Sequence, residues 1–343
     1  MAKIPNSVIG IDLGRHSLKS VSLVRKGANR FVLNNYAVRT MEKTPETADD
    51  LAEELKLLLK QMGGSAKSCA LGVSSSDSLI RIIEQPETPT EILRDAVRLN
   101  GMSLLNQDVK EFVLDCEQIT KPAQSAHGMT ARYLVCGLPR TKIMHVDEAF
   151  EKNRKNAIHN VQLAPICTFN AFEFANEETF NNEAFLLLDV GHDTATVTVG
   201  VKRELMLVRS IDYGAQTLIE ALINSGAKTG EGALRQLEEK DEIADSTARL
   251  SLTVLTREIS SSIGFFEGRR EENIGKIFIS GGIARSKALL SILSEELHMP
   301  CESWDPFKAC EIALPSSRRK MFADDFVSLN VACGAAAEAL KGN

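Results

Sequence analysis

The spacing of apolar residues changes period several times along this chain, and each change marks an element. Ser7–Val24 and Arg30–Val38 are rich in β-forming residues and predict the strands of a meander. In Pro45–Gln61, Leu51, Leu55, Leu58 and Leu59 recur at helical spacing. Ala70–Val73 and Ser78–Glu84 read as further strands, the second ending at Pro86. A helix is expected to run to about Leu105, with Thr90 as its N-cap. Strands at Glu111–Ile119 and Ala131–Leu138 flank a polar loop, Lys121–Met129, and a helix at Arg140–Asn153 leads to a strand at Ile158–Leu163. Pro165–Asn176 predicts another helix.

From Ala184 the pattern starts again with an apolar strand and a hairpin strand within Val201–Tyr213. Helices follow at Gly214–Asn224, at Lys228–Ser246 with a solvated acidic face, and at Thr247–Arg270, where Phe265 and Phe266 are expected as core anchors. A strand at Lys276–Ser280 runs into Gly281-Gly282, with a helix at Ser286–Leu297 directly after it. A short strand, Pro300–Trp304, precedes a turn at Asp305-Pro306-Phe307. A last helix starts near Ser328, and its small residues Ala332–Ala337 permit close packing against a neighbour.

Two stretches repeat one phrase. Ile9-Gly10-Ile11-Asp12-Leu13-Gly14-Arg15-His16-Ser17-Leu18-Lys19 and Leu187-Leu188-Asp189-Val190-Gly191-His192-Asp193-Thr194-Ala195-Thr196 are each an apolar strand that ends in Asp-x-Gly and turns into a second strand. One such turn alone is an ordinary hairpin, since Asp and Gly are common turn residues. Two of them half a chain apart, with matching strands, predict two related domains facing one cleft. An Asp at a strand end can hold hydrated Mg²⁺, because hard cations take oxygen ligands. Backbone N–H groups after a Gly, with the hydroxyls of Ser17 and Thr194, can cradle phosphate oxygens, and Lys19 adds a point charge. Asp12 and Asp189 are therefore the expected Mg²⁺ residues, acting through water. A Gly-Gly turn between strand and helix lets backbone approach a ligand, which makes Gly281, Gly282 and Ile283 candidates for the base and ribose.

With 343 residues, the chain exceeds one typical core, and two domains are expected. The net charge of −6 disfavours general nucleic-acid binding through phosphates. No apolar run is long enough to span a bilayer, and neither a signal peptide at Met1-Ala2-Lys3-Ile4 nor an amphipathic anchor at Gly342-Asn343 is expected. The seven cysteines are scattered without Cys-x-x-Cys spacing and read as small core residues in a reducing compartment.

Taken in order, these motifs resemble the actin/Hsp70/sugar-kinase superfamily, and within it the type IV pilus assembly PilM family, relatives of the cell-division protein FtsA. The resemblance covers essentially the whole chain. It rests on Asp12-Leu13-Gly14 with Ser17 and Lys19, Arg81 before Pro86, Glu91–Cys116 with Asp115, Ala184–Thr196, Glu258-Ile259 through Phe265, Ser280-Gly281-Gly282 and Asp305-Pro306-Phe307. It implies an α/β, actin-like two-domain fold of duplicated ribonuclease H-like domains with an inserted α/β subdomain. The implied partition is domain I at 1–82 completed by 164–183, the insert at 83–163, and domain II at 184–343 with a subdomain at about 216–276.

It further implies a cytoplasmic ATP-binding adaptor at the inner membrane that grips the N-terminal tail of a PilN-like membrane protein. The implied nucleotide residues are Asp12, Gly14, Arg15, His16, Ser17, Lys19, Asp189, Gly191, His192, Thr194, Gly214, Glu258, Gly281, Gly282 and Ile283, with Mg²⁺ at Asp12 and Asp189. The implied tail groove draws on Arg81, Ile83, Leu93 and Val97. The chain departs from the family in several places. Arg15 and His16 in the first turn and His192 and Asp193 in the second replace small residues, and Asp193 would repel phosphate unless a cation intervened. Ser260 and Ser261 stand where relatives carry Arg. Val161-Gln162-Leu163-Ala164 lacks the acidic residue of the hydrolysis site, so an obvious general base is missing. Weak ATP binding with little or no hydrolysis is expected, and complete loss of binding is the other outcome. The alternatives are an active ATPase or small-molecule kinase of the same superfamily, or an FtsA-like filament former.

Overall fold

The computed structural model describes residues 5–27, 30–63, 68–74, 76–125, 128–153, 156–227 and 229–341. Met1–Ile4, Lys228 and Gly342-Asn343, on which parts of the sequence reading fall, lie outside the described residues.

The first sheet begins with β1 (Ser7–Leu13), β2 (Ser17–Arg25) and β3 (Phe31–Thr40), an antiparallel meander, followed after α1 (Ala48–Met62) by β4 (Ser68–Val73), parallel to β1. Thr47 and Asp50 cap α1 reciprocally, which satisfies otherwise orphaned N–H groups of its first turn. A four-stranded sheet of its own follows: β5 (Leu79–Pro86), β6 (Phe112–Gln118), β7 (Ala123–Ser125) and β8 (Gly128–Pro139), with α2 (Thr90–Leu105) between β5 and β6. Thr90 does not cap α2 as expected. Pro89 occupies the cap position without a side-chain bond, and Thr90 is the first helical residue.

Hydrogen bonding divides the segment expected as an insert. β9 (Ala157–Leu163), which follows α3 (Arg140–Asn153), pairs with β4 in the first sheet, and α3 packs into that sheet's core through Val146, Ala149 and Phe150. Helices α4 (Ala164–Ala175) and α5 (Glu177–Asn182) then lead into the second sheet.

There β10 (Ala184–Val190), β11 (Ala195–Val201) and β12 (Glu204–Ile211) repeat the meander. Helices α6 (Ala215–Asn224), α7 (Gly230–Glu238) and α8 (Glu242–Glu267) follow, so the charged helix expected over 228–246 is broken between α7 and α8. Next come β13 (Ile277–Gly281), α9 (Lys287–Leu297), β14 (Cys301–Ser303), β15 (Cys310–Ile312), α10 (Ser316–Asp325) and α11 (Asn330–Lys341). The sheet orders are β15-β3-β2-β1-β4-β9 and β12-β11-β10-β13-β14. Each has a central strand flanked by an antiparallel hairpin and a parallel neighbour, which is the duplication expected from the repeated phrase.

Strand alternation decides which side chains face inward. Ile9, Ile11 and Leu13 of β1 pack under α1 and α3, whereas Val8 faces the other way, into a core shared by both sheets. In β10, Leu186, Leu188 and Val190 join the core beneath α6, α8 and α9, while Phe185 and Leu187 enter the shared core. The shared core is filled by α4 and α11. By the same parity Asp12 and Asp189 both fall on the inner faces, at corresponding strand ends. Close packing of α11 needs its small residues: a Cβ at Gly334 would lie 1.7 Å from the Cys167 carbonyl oxygen of α4. The cysteines are all free, and burial pushes the Cys69 and Cys136 thiols up to about 12, which makes them neutral core residues.

Candidate functional site

Both Asp-x-Gly turns open onto one cavity of about 700 Å³ between the sheets. The first turn supplies Asp12, Gly14, Arg15, His16, Ser17 and Lys19 to its lining, and the second Asp189, Gly191, His192, Asp193 and Thr194. Gly282 and Ile283 line it after β13. Two further glycines of the expected set, Gly214 and Gly281, sit behind the lining. Gly214 precedes α6, whose first amides bind the second turn: Ala215 N–H donates to the Gly191 carbonyl at 2.9 Å and Gln216 N–H to that of His192 at 2.9 Å. Gly281 adopts φ +100°, with a hypothetical Cβ only 2.1 Å from the Val190 carbonyl oxygen, so glycine is required for β13 to meet β10 here. Glu258 is not among the lining residues. It faces Arg209 of β12, at 3.6 Å.

The register sets the polar contacts. Asp12 lies opposite Lys19, and Asp189 opposite Thr196. Lys19 Nζ donates to Asp12 Oδ2 at 3.1 Å, while the buried Asp12 Oδ1 has no hydrogen-bond partner among the described residues. Burial opposes the charge on Lys19, but the Asp12 and Asp189 carboxylates outweigh it and hold the amine protonated above its usual range. Burial pushes Asp12 up, and Lys19 offsets only part of this. Asp189 Oδ1 accepts from Ser280 Oγ at 2.7 Å and from Asn330 Nδ2 at 3.0 Å, and Asn330 also donates to Thr168 Oγ1 at 2.9 Å. Asn330 thus ties the second turn to α4 and α11.

Across the cleft the two turns touch. The His16 and His192 rings stack with centroids 4.0 Å apart and planes 6° from parallel. Arg15 Nε lies 3.5 Å from Asp193 Oδ2, and His192 Nε2 lies 3.7 Å from Asp193 Oδ1. Partial burial lowers the pKa of His16, and neighbouring His192 lowers it further, against a smaller opposing pull from Asp193. Arg15 gives Asp193 the cation its position demanded, and the residues that depart from the family pattern meet one another.

The sequence reading missed part of the wall. Gln216, Ile219, Gly230, Leu234, Arg285, Asp325 and Ser328 also line the cavity. They come from α6, α7, the end of α10 and the turns after β13 and α10, and only the final fold gathers them. The partner residues divide. Arg81 is exposed and Ile83 partly so, but Leu93 and Val97 are in the insert's own core, at 4% and 0% exposure. They face the sheet and cannot form a contact surface. Helix α2 turns Ile92, Leu99 and Met102 outward instead. Likewise Phe266 is buried as expected, but Phe265 is 47% exposed.

The sequence pattern of the family described as type IV pilus assembly protein PilM matches residues 10–340. The chain belongs to this family. No curated protein matches it in a sequence search. Among solved structures, a PilM–PilN type IV pilus biogenesis complex is similar, with TM-score 0.83 and 20% identity over 99% of this chain and 100% of that one. The ethanolamine utilization protein EutJ from Carboxydothermus hydrogenoformans gives TM-score 0.56 at 13% identity, over 100% of this chain and 92% of its own. Component A of (R)-2-hydroxyglutaryl-CoA dehydratase from Acidaminococcus fermentans gives 0.50 at 11%, covering 98% of each chain. These likenesses establish the actin-like ATPase fold. No described helix is long and apolar enough to cross a membrane.

The donor set fits a nucleoside triphosphate. Asp12 Oδ1 is a buried acceptor without a partner among the described residues, and Ser17, Lys19 and Thr194 line the same cavity. No group of three His, Cys, Asp or Glu side chains among the described residues is placed to hold an ion by itself. Asp12 and Asp189 would be the residues to hold a hydrated Mg²⁺ here.

Proposed function

We propose that this protein is a nucleotide-binding adaptor of a type IV pilus or related envelope machine, held at the inner membrane through the N-terminal tail of a PilN-like protein. The observation that carries the reading is the pair of equivalent Asp-x-Gly turns walling one cavity, in a chain of the PilM family. The similar structure is a complex with PilN, which supports a partner of that kind here. In this reading ATP lies with its phosphates between the turns and its base toward Ile219, Leu234 and Ile283. Bound nucleotide with Mg²⁺ would supply the charge that draws the two domains together. Lys19 and the turn amides orient the phosphates, while Asp12 and Asp189 orient metal-bound water. Of the residues expected to grip the tail, Arg81 and Ile83 keep accessible positions.

Hydrolysis is expected to be slow. The carboxylates lining the cavity among the described residues are Asp12, Asp189, Asp193 and Asp325. The first three are engaged by Lys19, by Ser280 with Asn330, and by Arg15, and Tyr36 Oη donates to Asp325 at 3.2 Å. Each already has a hydrogen-bond or ion-pair partner, which weakens it as a general base.

Calorimetric titration with Mg·ATP and a non-hydrolysable analogue, beside phosphate release and pull-down with the partner's tail, tests this reading. Binding without turnover, lost in Asp189→Asn, and capture of the tail are expected. Turnover well above background would favour an ATPase or kinase. Failure of both nucleotide and tail to bind would remove the adaptor reading.

A further inference from the structure

A second cavity, of about 500 Å³, adjoins the nucleotide cleft and shares Ile80, Arg81 and Val208 with its wall. It is within the size range of a specific ligand pocket, about 300–1,000 Å³. Its walls are unusual in kind. Five consecutive residues of β5, Ile80 through Glu84, and three of β12, Met206 through Val208, line it. Consecutive residues point to opposite faces of a strand, so both can border one groove only where a strand presents its edge. β5 and β12 are indeed the outer strands of their sheets. An outer strand carries unpaired N–H and C=O groups along its free side and accepts an added strand.

The groove's charge opposes that of the chain. The protein carries −6 overall, yet Arg81, Arg132, Arg269 and Arg270 all line this cavity, against Glu84 alone. Two of the four are already engaged. Arg132 binds Glu204 at 3.3 Å and the Leu205 carbonyl at 2.9 Å, which pins β12 to the smaller sheet, and Arg270 lies 3.8 Å from Glu204. Arg81 donates only to its neighbour's carbonyl, and Arg269 stacks over the exposed Phe265 ring at 4.2 Å. Neither has a carboxylate partner among the described residues. Arg132 already occupies part of the β12 edge, so β5 is the strand left to extend.

We propose that this groove binds an extended, acidic segment of a partner protein as an added strand on β5. Its carboxylates pair with Arg81 and Arg269, and its alternate apolar side chains pack on Ile80, Ile82, Met206 and Phe265. The proposal deepens the adaptor reading and rests on it for the existence of a partner segment. A polyanion such as nucleic acid would use the arginines but not the strand edge.

The probe is a fluorescent, end-capped peptide of alternating Glu and Val, six residues long, titrated into the full chain and followed by anisotropy. Saturable binding is expected, weakened by salt, and about tenfold weaker or more in Arg269→Glu and in Arg81→Glu. Both arginines are exposed, so the variants should melt as the parent does. Methylating alternate amides of the peptide should abolish binding, because it blocks strand pairing while leaving the charge. The proposal is overturned by no saturable binding, by equal binding of a Lys-Val peptide or the methylated peptide, by indifference to both variants, or by preference for a single-stranded oligonucleotide. Tail capture measured on the same proteins separates the two ideas. A captured tail without peptide binding overturns the groove proposal alone, and peptide binding without a captured tail overturns only the PilN-like assignment.

Discussion

Asp193→Asn probes what the second turn does to a bound phosphate chain. Asp193 lines the nucleotide cavity 3.5 Å from Arg15, and the two side chains are 38% and 51% exposed. An ion pair so exposed contributes at most about 1 kcal/mol to folding, so the amide should leave the melting temperature nearly unchanged. The effect on binding is larger. A unit negative charge about 4 Å from a phosphate oxygen costs about 1 kcal/mol even at the dielectric of water, and more where the cleft is partly dry. The amide removes that repulsion and releases Arg15 to meet the phosphates. Together these give about 1–2 kcal/mol, or roughly five- to thirtyfold tighter ATP binding. Calorimetric titration of both proteins with Mg·ATP at two salt concentrations measures it, and the gain should shrink as salt screens the open cleft. Unchanged or weaker binding by Asp193→Asn would refute the reasoning and mean that the carboxylate assists the ligand, as it would if it held a cation.

Other outcomes follow from the same geometry. The folded-state pKa of His16 is depressed, so its contribution is fully present above the ordinary value of about 6.5 and is lost as pH falls through the lower folded value. Thermal unfolding between pH 8 and 5 should show that acid-side loss, and His16→Gln should flatten it; an unchanged slope would show that the stacked pair carries no linkage. Asn330→Leu leaves the Asp189 and Thr168 oxygens short of a donor and should cost about 1–3 kcal/mol in urea unfolding, together with weaker nucleotide binding. Gly334→Ala forces α11 away from α4 and should cost about 1–3 kcal/mol, read by the same urea unfolding; a neutral substitution would mean that the two helices separate readily.

The duplicated meander, both Asp-x-Gly turns and most helices were legible because each is local. An alternating strand, a turn residue or an apolar stripe depends on neighbours a few positions away. Thr90 was misread because a good capping residue beside Pro89 left two candidate positions one residue apart, and the proline took the cap. Leu93 and Val97 show a different limit. Their spacing marks the apolar side of α2, but which side meets its own sheet and which meets a partner is decided by the sheet the helix lands on. Phe265 and Phe266 lie about 100° apart on one helix, and it is packing that buries Phe266 and leaves Phe265 exposed.

The sequence by itself determined the two strand-turn-strand units and the place of Asp12 and Asp189 at their strand ends, since each is a local pattern of apolar and turn residues. The tertiary structure alone decided what meets those carboxylates. Asn330 reaches Asp189 across 141 positions, Arg15 finds Asp193, His16 stacks on His192, and β5 comes to face β12 across a groove. Such pairings depend on how two sheets close around α4 and α11, and that closure is set by the sum of many small contacts in the shared core, which no local pattern records.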